Sequence, residues 1–173
     1  DLVDWHQDWA FYPHSNDDVL AVGIMLDDMT PENGPVLFIP GSHKGKIFNH
    51  HHNGYFAGAI NIKKEKVDIS NVVEVTGKAG SITIHHARLL HASKPNTSNS
   101  MRRFLLWEFA ANDAWPLMGI DDYNNFNKKI ISGEIINTPR LRDVPVRLPL
   151  PAALNQGSIF ENQKVITKNK KSI

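Results

Sequence analysis

Residues able to hold a metal gather near the start of the chain, in Trp5-His6-Gln7-Asp8-Trp9. His6 and Asp8 are two positions apart. On an extended backbone such residues point to the same face, so an imidazole nitrogen and a carboxylate oxygen can reach one cation. A third ligand has to come from elsewhere in a chain with nine histidines. Two imidazoles and one carboxylate on one side of a metal leave its opposite positions open. That arrangement suits Fe(II) with O2 and a chelating co-substrate. His-x-Asp is a common pattern and gains weight only from its surroundings.

Those surroundings lie far downstream. His85, His86 and His91 follow one apolar stretch, and each is a possible third ligand. Arg102 and Arg103 come soon after. A guanidinium offers a planar, bidentate match to a carboxylate, such as the far end of a metal-bound keto acid. Adjacent residues of a strand face opposite ways, so only one of the two arginines can enter a pocket.

Other residues carry competing readings. Trp9, Phe11 and Tyr12 read either as packing or as a wall for an apolar or planar substrate. His14 could line a substrate entrance, His85 could sit beside the ligands, and Arg88 could meet a substrate anion or form a surface ion pair. Trp9, Tyr12, His14, His85 and Arg88 are thus the substrate-contact candidates. His50-His51-His52, set before Asn53-Gly54, reads as a surface loop near the cleft, and His43 as a turn residue. Asp17-Asp18 and Asp27-Asp28 read as strand-end turns. Phe104, Leu106 and Trp107 read as core.

The elements that must position these groups are short strands. Val19 to Leu26, Val36 to Ile39, Val72 to Thr76 and Arg103 to Phe109 are runs rich in β-formers, separated by Pro and Gly. Ser81 to His85 alternates polar and apolar, the signature of a half-buried strand. This rhythm predicts a mainly β fold, a sandwich, jelly roll or barrel. A short helix is expected around Asp121 to Ile131. With Pro139, Pro145, Pro149 and Pro151, the chain from Asn137 onward is expected to be an extended tail packed on the barrel.

The 173 residues fit a single domain, with a core barrel over about residues 5–117 and an extension over about 118–173. Net charge is +1, so no global field favours nucleic acid or a membrane surface. There is no cysteine, which excludes disulfides, thiolate metal sites and thiol nucleophiles. No apolar run reaches the ~20 residues of a membrane span, and the opening residues show no signal-peptide pattern. A cytoplasmic setting is the expectation. Lys164 to Lys171 reads as a solvated tail. The opening Asp1-Leu2-Val3 has no initiator Met and runs at once into loaded residues, as if an N-terminal portion were missing. A barrel so shortened would expose strand edges, and an oligomer is then an option.

Taken together, the motifs resemble the phytanoyl-CoA dioxygenase family, which includes ectoine hydroxylases. The resemblance rests on His6-Gln7-Asp8, Glu32-Asn33-Gly34-Pro35, Ile39-Pro40-Gly41-Ser42-His43-Lys44-Gly45, and His91-Ala92-Ser93 with Pro95-Asn96 and Arg102. It runs from Trp5 to about Leu117. It implies a double-stranded β-helix, a cupin-like jelly roll closed on one iron, with His6, Asp8 and His91 as ligands. It implies that Arg102, helped by Ser93, pairs with the distal carboxylate of 2-oxoglutarate, with Arg103 as the fallback. Related halogenases carry a small residue in place of the carboxylate ligand, so Asp8 points to hydroxylation. The implied activity is that of a 2-oxoglutarate-dependent dioxygenase, hydroxylating a small organic substrate with O2 and releasing succinate and CO2. Two other readings stand beside it. One is a cupin-like metalloenzyme that does not use 2-oxoglutarate, and the other is a non-catalytic binding barrel.

Overall fold

The computed structural model describes residues 2–151 and 158–169, with side chains through Lys164. Nine strands are described: β1 (Val3–His6), β2 (Val19–Met25), β3 (Val36–Phe38), β4 (His51–His52), β5 (Tyr55–Phe56), β6 (Val73–Val75), β7 (Ile82–His86), β8 (His91–Ser93) and β9 (Phe104–Ala110). Two short helices follow, α1 (Tyr123–Asn127) and α2 (Ile159–Asn169). The strands form a four-stranded sheet in the order β1-β8-β3-β6 and a three-stranded sheet in the order β7-β2-β9, with β4-β5 as a separate hairpin. All pairings are antiparallel. This is the expected jelly roll, and a cavity of about 590 Å³ lies between its two sheets.

Register decides what faces that cavity. Along β2 the buried residues are Val19, Ala21, Gly23 and Met25. Ala21 pairs with His85 on one side and Glu108 on the other, and Gly23 pairs with Thr83 and Leu106. On β7 the alternation was foreseen but its sense is inverted. Thr83 and His85 point inward, while Ile82 and Ile84 are 59% and 68% exposed. The reason is that the inner face of this sheet looks onto the cavity, where His85 and Glu108 are among the lining residues. Leu105, Trp107 and Phe109 of β9 share the exposed outer face with Ile82 and Ile84.

Gly23 has a steric task. A Cβ placed on it would lie 2.0 Å from Cζ of Phe104, so the aromatic ring lies directly across the glycine. Alanine is ordinarily better than glycine inside a strand. Here Gly23→Ala is expected to destabilise the fold by about 1–3 kcal/mol through overpacking. The readout is the urea midpoint, and an unchanged or higher midpoint would show that the ring moves aside freely.

Beyond β9 the chain partly meets expectation. α1 falls inside the anticipated helix, and the Asp122 carboxylate caps it by accepting from Asn125 N at 2.7 Å. Residues 137–151 run along the barrel as foreseen. Arg140 pairs with Asp113 and Asp18, and Arg142 with Asp17 and Asp18. The extended tail does not continue to the end: α2 packs against β1, where Gln163 Oε1 accepts from Asp4 N at 3.0 Å. The solvated lysine tail lies largely outside the described side chains.

These ion pairs have a pH signature. Arg140 holds the Asp113 carboxyl below its ordinary value. For Asp17, the bonds from Arg88 and Arg142 outweigh the opposing effect of desolvation. Arg103 takes Asp27 down to about 2. A carboxyl depressed in the folded state contributes stability above its unfolded value, about 4, and loses it as pH falls through the folded value. The melting temperature is therefore expected to hold above about pH 5 and to fall steeply between about 4 and 2. Arg140→Ala should flatten that acid limb, and an unchanged slope would remove the tail pairs from the account.

Candidate metal centre

His6, Asp8 and His91 converge at one side of the cavity. His6 ends β1, Gln7 is extended at φ −123° and ψ 128°, and Asp8 opens a short 3-10 turn through Ala10. His91 opens β8 and is paired in register with His6. Nε2 of His6 is 3.5 Å, and Nε2 of His91 3.3 Å, from the same carboxylate oxygen, Oδ1 of Asp8. One ligand atom from each residue lies within 4.8 Å of the others. The opposite ring nitrogens are occupied: Nδ1 of His6 bonds the Asp4 carbonyl at 2.8 Å and Nδ1 of His91 the Leu89 carbonyl at 2.9 Å. Each imidazole thus has its tautomer set by backbone and presents Nε2 to the centre, the outer arrangement that metal-binding histidines need. The donor set and its burial fit one divalent cation.

Electrostatics agree with the geometry. Burial alone would raise the Asp8 carboxyl, but His91 opposite it and bonds from His6, His85 and His91 hold it well below the usual range. Burial depresses His6, and the neighbouring His91 adds to this. Burial also acts to depress His91, but the Asp8 carboxylate outweighs it and the ring lies above its ordinary value.

Of the three downstream histidines, His91 joins the pair. His85 takes the other oxygen of the same carboxylate, with Nε2 3.2 Å from Oδ2 of Asp8. It therefore orients the carboxylate and lines the cavity. His86 faces away, where its Nδ1 accepts from Arg88 N at 3.0 Å.

Arg102 lines the same cavity, beside Ser93, and no hydrogen bond or ion pair engages it among the described residues. Burial lowers its pKa. Ser93 is buried, and its Oγ accepts from Val3 N at 3.1 Å. Arg103 points the other way and is fully committed to Asp27, with Nε 2.9 Å from Oδ2 and an Nη 2.7 Å from Oδ1.

The substrate-contact candidates divide. Tyr12 lines the cavity near Asp8, and its buried hydroxyl makes no geometrically formed hydrogen bond among the described residues. Desolvation, then the charges of Asp8 and Glu108, raise that phenol, so it stays protonated. Trp9, His14 and Arg88 are not at the cavity. Trp9 is turned by the 3-10 geometry into a core with Val19, Ala87 and Ala114, and its Nε1 donates to the Pro145 carbonyl. His14 bonds the Tyr12 carbonyl and lines a separate hollow of about 280 Å³ beside Trp115 and Phe126. Arg88 is drawn off by Asp17 at 2.8 Å and by the Gly45 carbonyl.

Glu108 was overlooked, although its place was available from Arg102. Positions 102, 104, 106 and 108 alternate inward, and Arg102, Phe104, Leu106 and Glu108 all line the cavity. Phe104 and Leu106 are therefore site walls, Phe104 also packing on the core of Met25, Met29 and Val36 as foreseen, and Trp107 is 52% exposed on the outer face. Ile159 and Phe160 of α2 also reach the cavity, from a helix that was not expected.

Comparison with known proteins places this geometry. A family model described as phytanoyl-CoA dioxygenase (PhyH) matches residues 1–104. The chain belongs to the phytanoyl-CoA dioxygenase family. This family member is 44% identical, over 170 residues, to a probable alpha-ketoglutarate-dependent hypophosphite dioxygenase of Stutzerimonas stutzeri, covering 96% of this chain and 59% of that protein. It is 33% identical over 122 residues to the L-proline trans-4-hydroxylase of Streptomyces griseoviridis, covering 59% of this chain and 46% of that one. The chain thus spans between 46% and 59% of the length of these two relatives. Among solved structures, the non-heme alpha ketoglutarate dependent carbocyclase SnoK from nogalamycin biosynthesis superposes with a TM-score of 0.59 at 25% identity, covering 79% of this chain and 54% of that one.

Proposed function

We propose that this phytanoyl-CoA dioxygenase family member is an Fe(II)- and 2-oxoglutarate-dependent dioxygenase that hydroxylates a small molecule. The observation that carries the proposal is the convergence of His6, Asp8 and His91 at one buried point of a cavity also lined by Arg102, whose guanidinium has no ion-pair partner among the described residues. Fe(II) held there would activate O2 at the expense of 2-oxoglutarate, which leaves as succinate and CO2.

The chain's own residues do the remaining work. Two neutral imidazoles and one carboxylate give a donor set of charge −1, which leaves a divalent cation able to attract an anionic keto acid. His85 fixes the carboxylate by holding its second oxygen. Arg102 supplies a planar pair of donors for the far carboxylate of the co-substrate, and Ser93 can donate its hydroxyl beside it. Phe11, Phe104 and Leu106 line the cavity with apolar surface and limit water near the metal.

For the substrate, the 44% identity to the Stutzerimonas protein puts a small reduced phosphorus oxyanion first in line for assay. The experiment is succinate formation from 2-oxoglutarate with Fe(II) and O2, with and without hypophosphite, followed by 31P NMR for phosphite. Succinate that rises with hypophosphite, with matching phosphite, supports both parts. Succinate stimulated only by an organic substrate keeps the dioxygenase and replaces the oxyanion. No succinate under any condition returns the site to a metalloenzyme that does not use 2-oxoglutarate, or to a binding barrel.

A further inference from the structure

The histidine tract at 50–52 contains a residue tied to the metal-binding segment from outside it. His50 is 1% exposed, and its ring meets Gln7, the residue that links His6 to Asp8. The Gln7 backbone N–H donates to Nε2 of His50 at 2.8 Å. An amide N–H can only donate, so Nε2 carries a lone pair and the proton sits on Nδ1. Nδ1 donates to the Phe48 carbonyl at 2.9 Å. The Phe48 N–H in turn donates to Oε1 of Gln7 at 2.9 Å. The result is a closed circuit from the Gln7 main chain through His50 and Phe48 back to the Gln7 side chain.

The circuit is anchored on both sides. Nε2 of Gln7 donates to the carbonyls of Lys46 and Arg88, the latter three residues before His91. The His50 carbonyl accepts from Ala57 N at 2.8 Å and Gly58 N at 3.2 Å. Gln7 is fully buried, so its groups depend on protein partners and not on bulk water.

We propose that His50 is a positioning residue whose neutral imidazole, as a hydrogen-bond acceptor, fixes the peptide joining the two metal ligands and thereby sets the spread between His6 and Asp8. This rests on the metal-centre reading above. Burial keeps the ring neutral by pushing its pKa down to about 3, so the acceptor is present at any working pH. A ring in this role must not bind the metal itself, since both of its nitrogens are already used.

The test is Co(II) affinity and the Co(II) absorption spectrum of the full chain, with unfolding followed in parallel. His50→Leu keeps the bulk and removes the acceptor. It should bind Co(II) about 10–100-fold more weakly, as loss of an outer partner commonly does, with a changed ligand-field spectrum. His50→Gln, whose amide oxygen can reach the Gln7 N–H, should recover most of the affinity. Met29→Ala, in the separate core of Met25 and Val36, supplies a comparison that loses stability without touching the circuit, and its Co(II) affinity should stay within about threefold of wild type. His50→Leu binding Co(II) as tightly as Met29→Ala would overturn the proposal while leaving the metal centre standing. A wild-type chain that binds no Co(II) would instead remove the metal-centre reading. If His50→Leu does not fold, His50→Asn takes its place against His50→Gln. The shorter amide falls short of Gln7, so equal affinities for the two would likewise overturn the proposal.

Discussion

Asp8→Ala is expected to abolish hydroxylation and to weaken divalent metal binding by more than about a hundredfold, since losing an outer-shell partner alone costs about 10–100-fold. Among the described residues the carboxylate is the one anionic donor of the centre, and both facing imidazoles point at its Oδ1. Its removal also strips His85 of its partner and leaves three buried imidazoles around an empty space. Those neutral rings retain some affinity for soft or borderline cations, so the assay should follow Fe(II) or Co(II) affinity together with succinate yield. Wild-type coupling between succinate and hydroxylated product in this variant would defeat the assignment of the ligand set.

The second large effect concerns the neighbouring arginines. Arg102→Ala should raise the 2-oxoglutarate concentration needed for half-maximal turnover about 10–100-fold, the loss of one charge-assisted bidentate contact worth about 1.5–3 kcal/mol. Arg103→Ala should change it less than about twofold. Its partner Asp27 sits outside the cavity, and an exposed, solvent-screened pair contributes little. Arg102→Lys should recover only part of the loss, because a point charge does not reproduce the planar fork. A larger effect at Arg103 than at Arg102 would transfer the anchor to the other arginine.

The site was partly legible because its first two ligands obey a local rule. Gln7 is extended, so positions 6 and 8 share a face, as two-residue periodicity requires. The choice among His85, His86 and His91 was not a local matter. It depends on which residue of β7 faces inward and on the pairing of β8 with β1, both long-range facts. The opposite assignments of Arg102 and Arg103 followed from strand alternation, and the same rule extended by six residues would have found Glu108.

The misses have physical causes too. The Asn53-Gly54 dipeptide has both residues at positive φ, 50° and 81°, the form that closes a two-residue hairpin. Its flanking strands are two residues long and show no alternation, so the turn read as a loop. The last helix was masked by the prolines before it. Its start carried a usable signal, Ser158-x-x-Glu161, and Glu161 Oε2 does accept from the Ser158 N–H at 2.7 Å. For Trp9 and Arg88 the sequence left packing or an ion pair open beside a substrate contact, and local sequence could not choose between them. A 3-10 turn and an ion pair with Asp17 take them elsewhere.

The strict alternation of Arg102, Phe104, Leu106 and Glu108 has a consequence for how such a chain can diverge. Exchanging Phe104, Leu106 or Glu108 changes the lining of the cavity while leaving Arg102 and the strand pairing in place, so preference can drift by single substitutions. Inserting or deleting one residue between them does something else: Trp107 and Phe109 would turn inward while the guanidinium or the carboxylate turned out. Divergence along this strand is thus open to substitution and closed to changes of length.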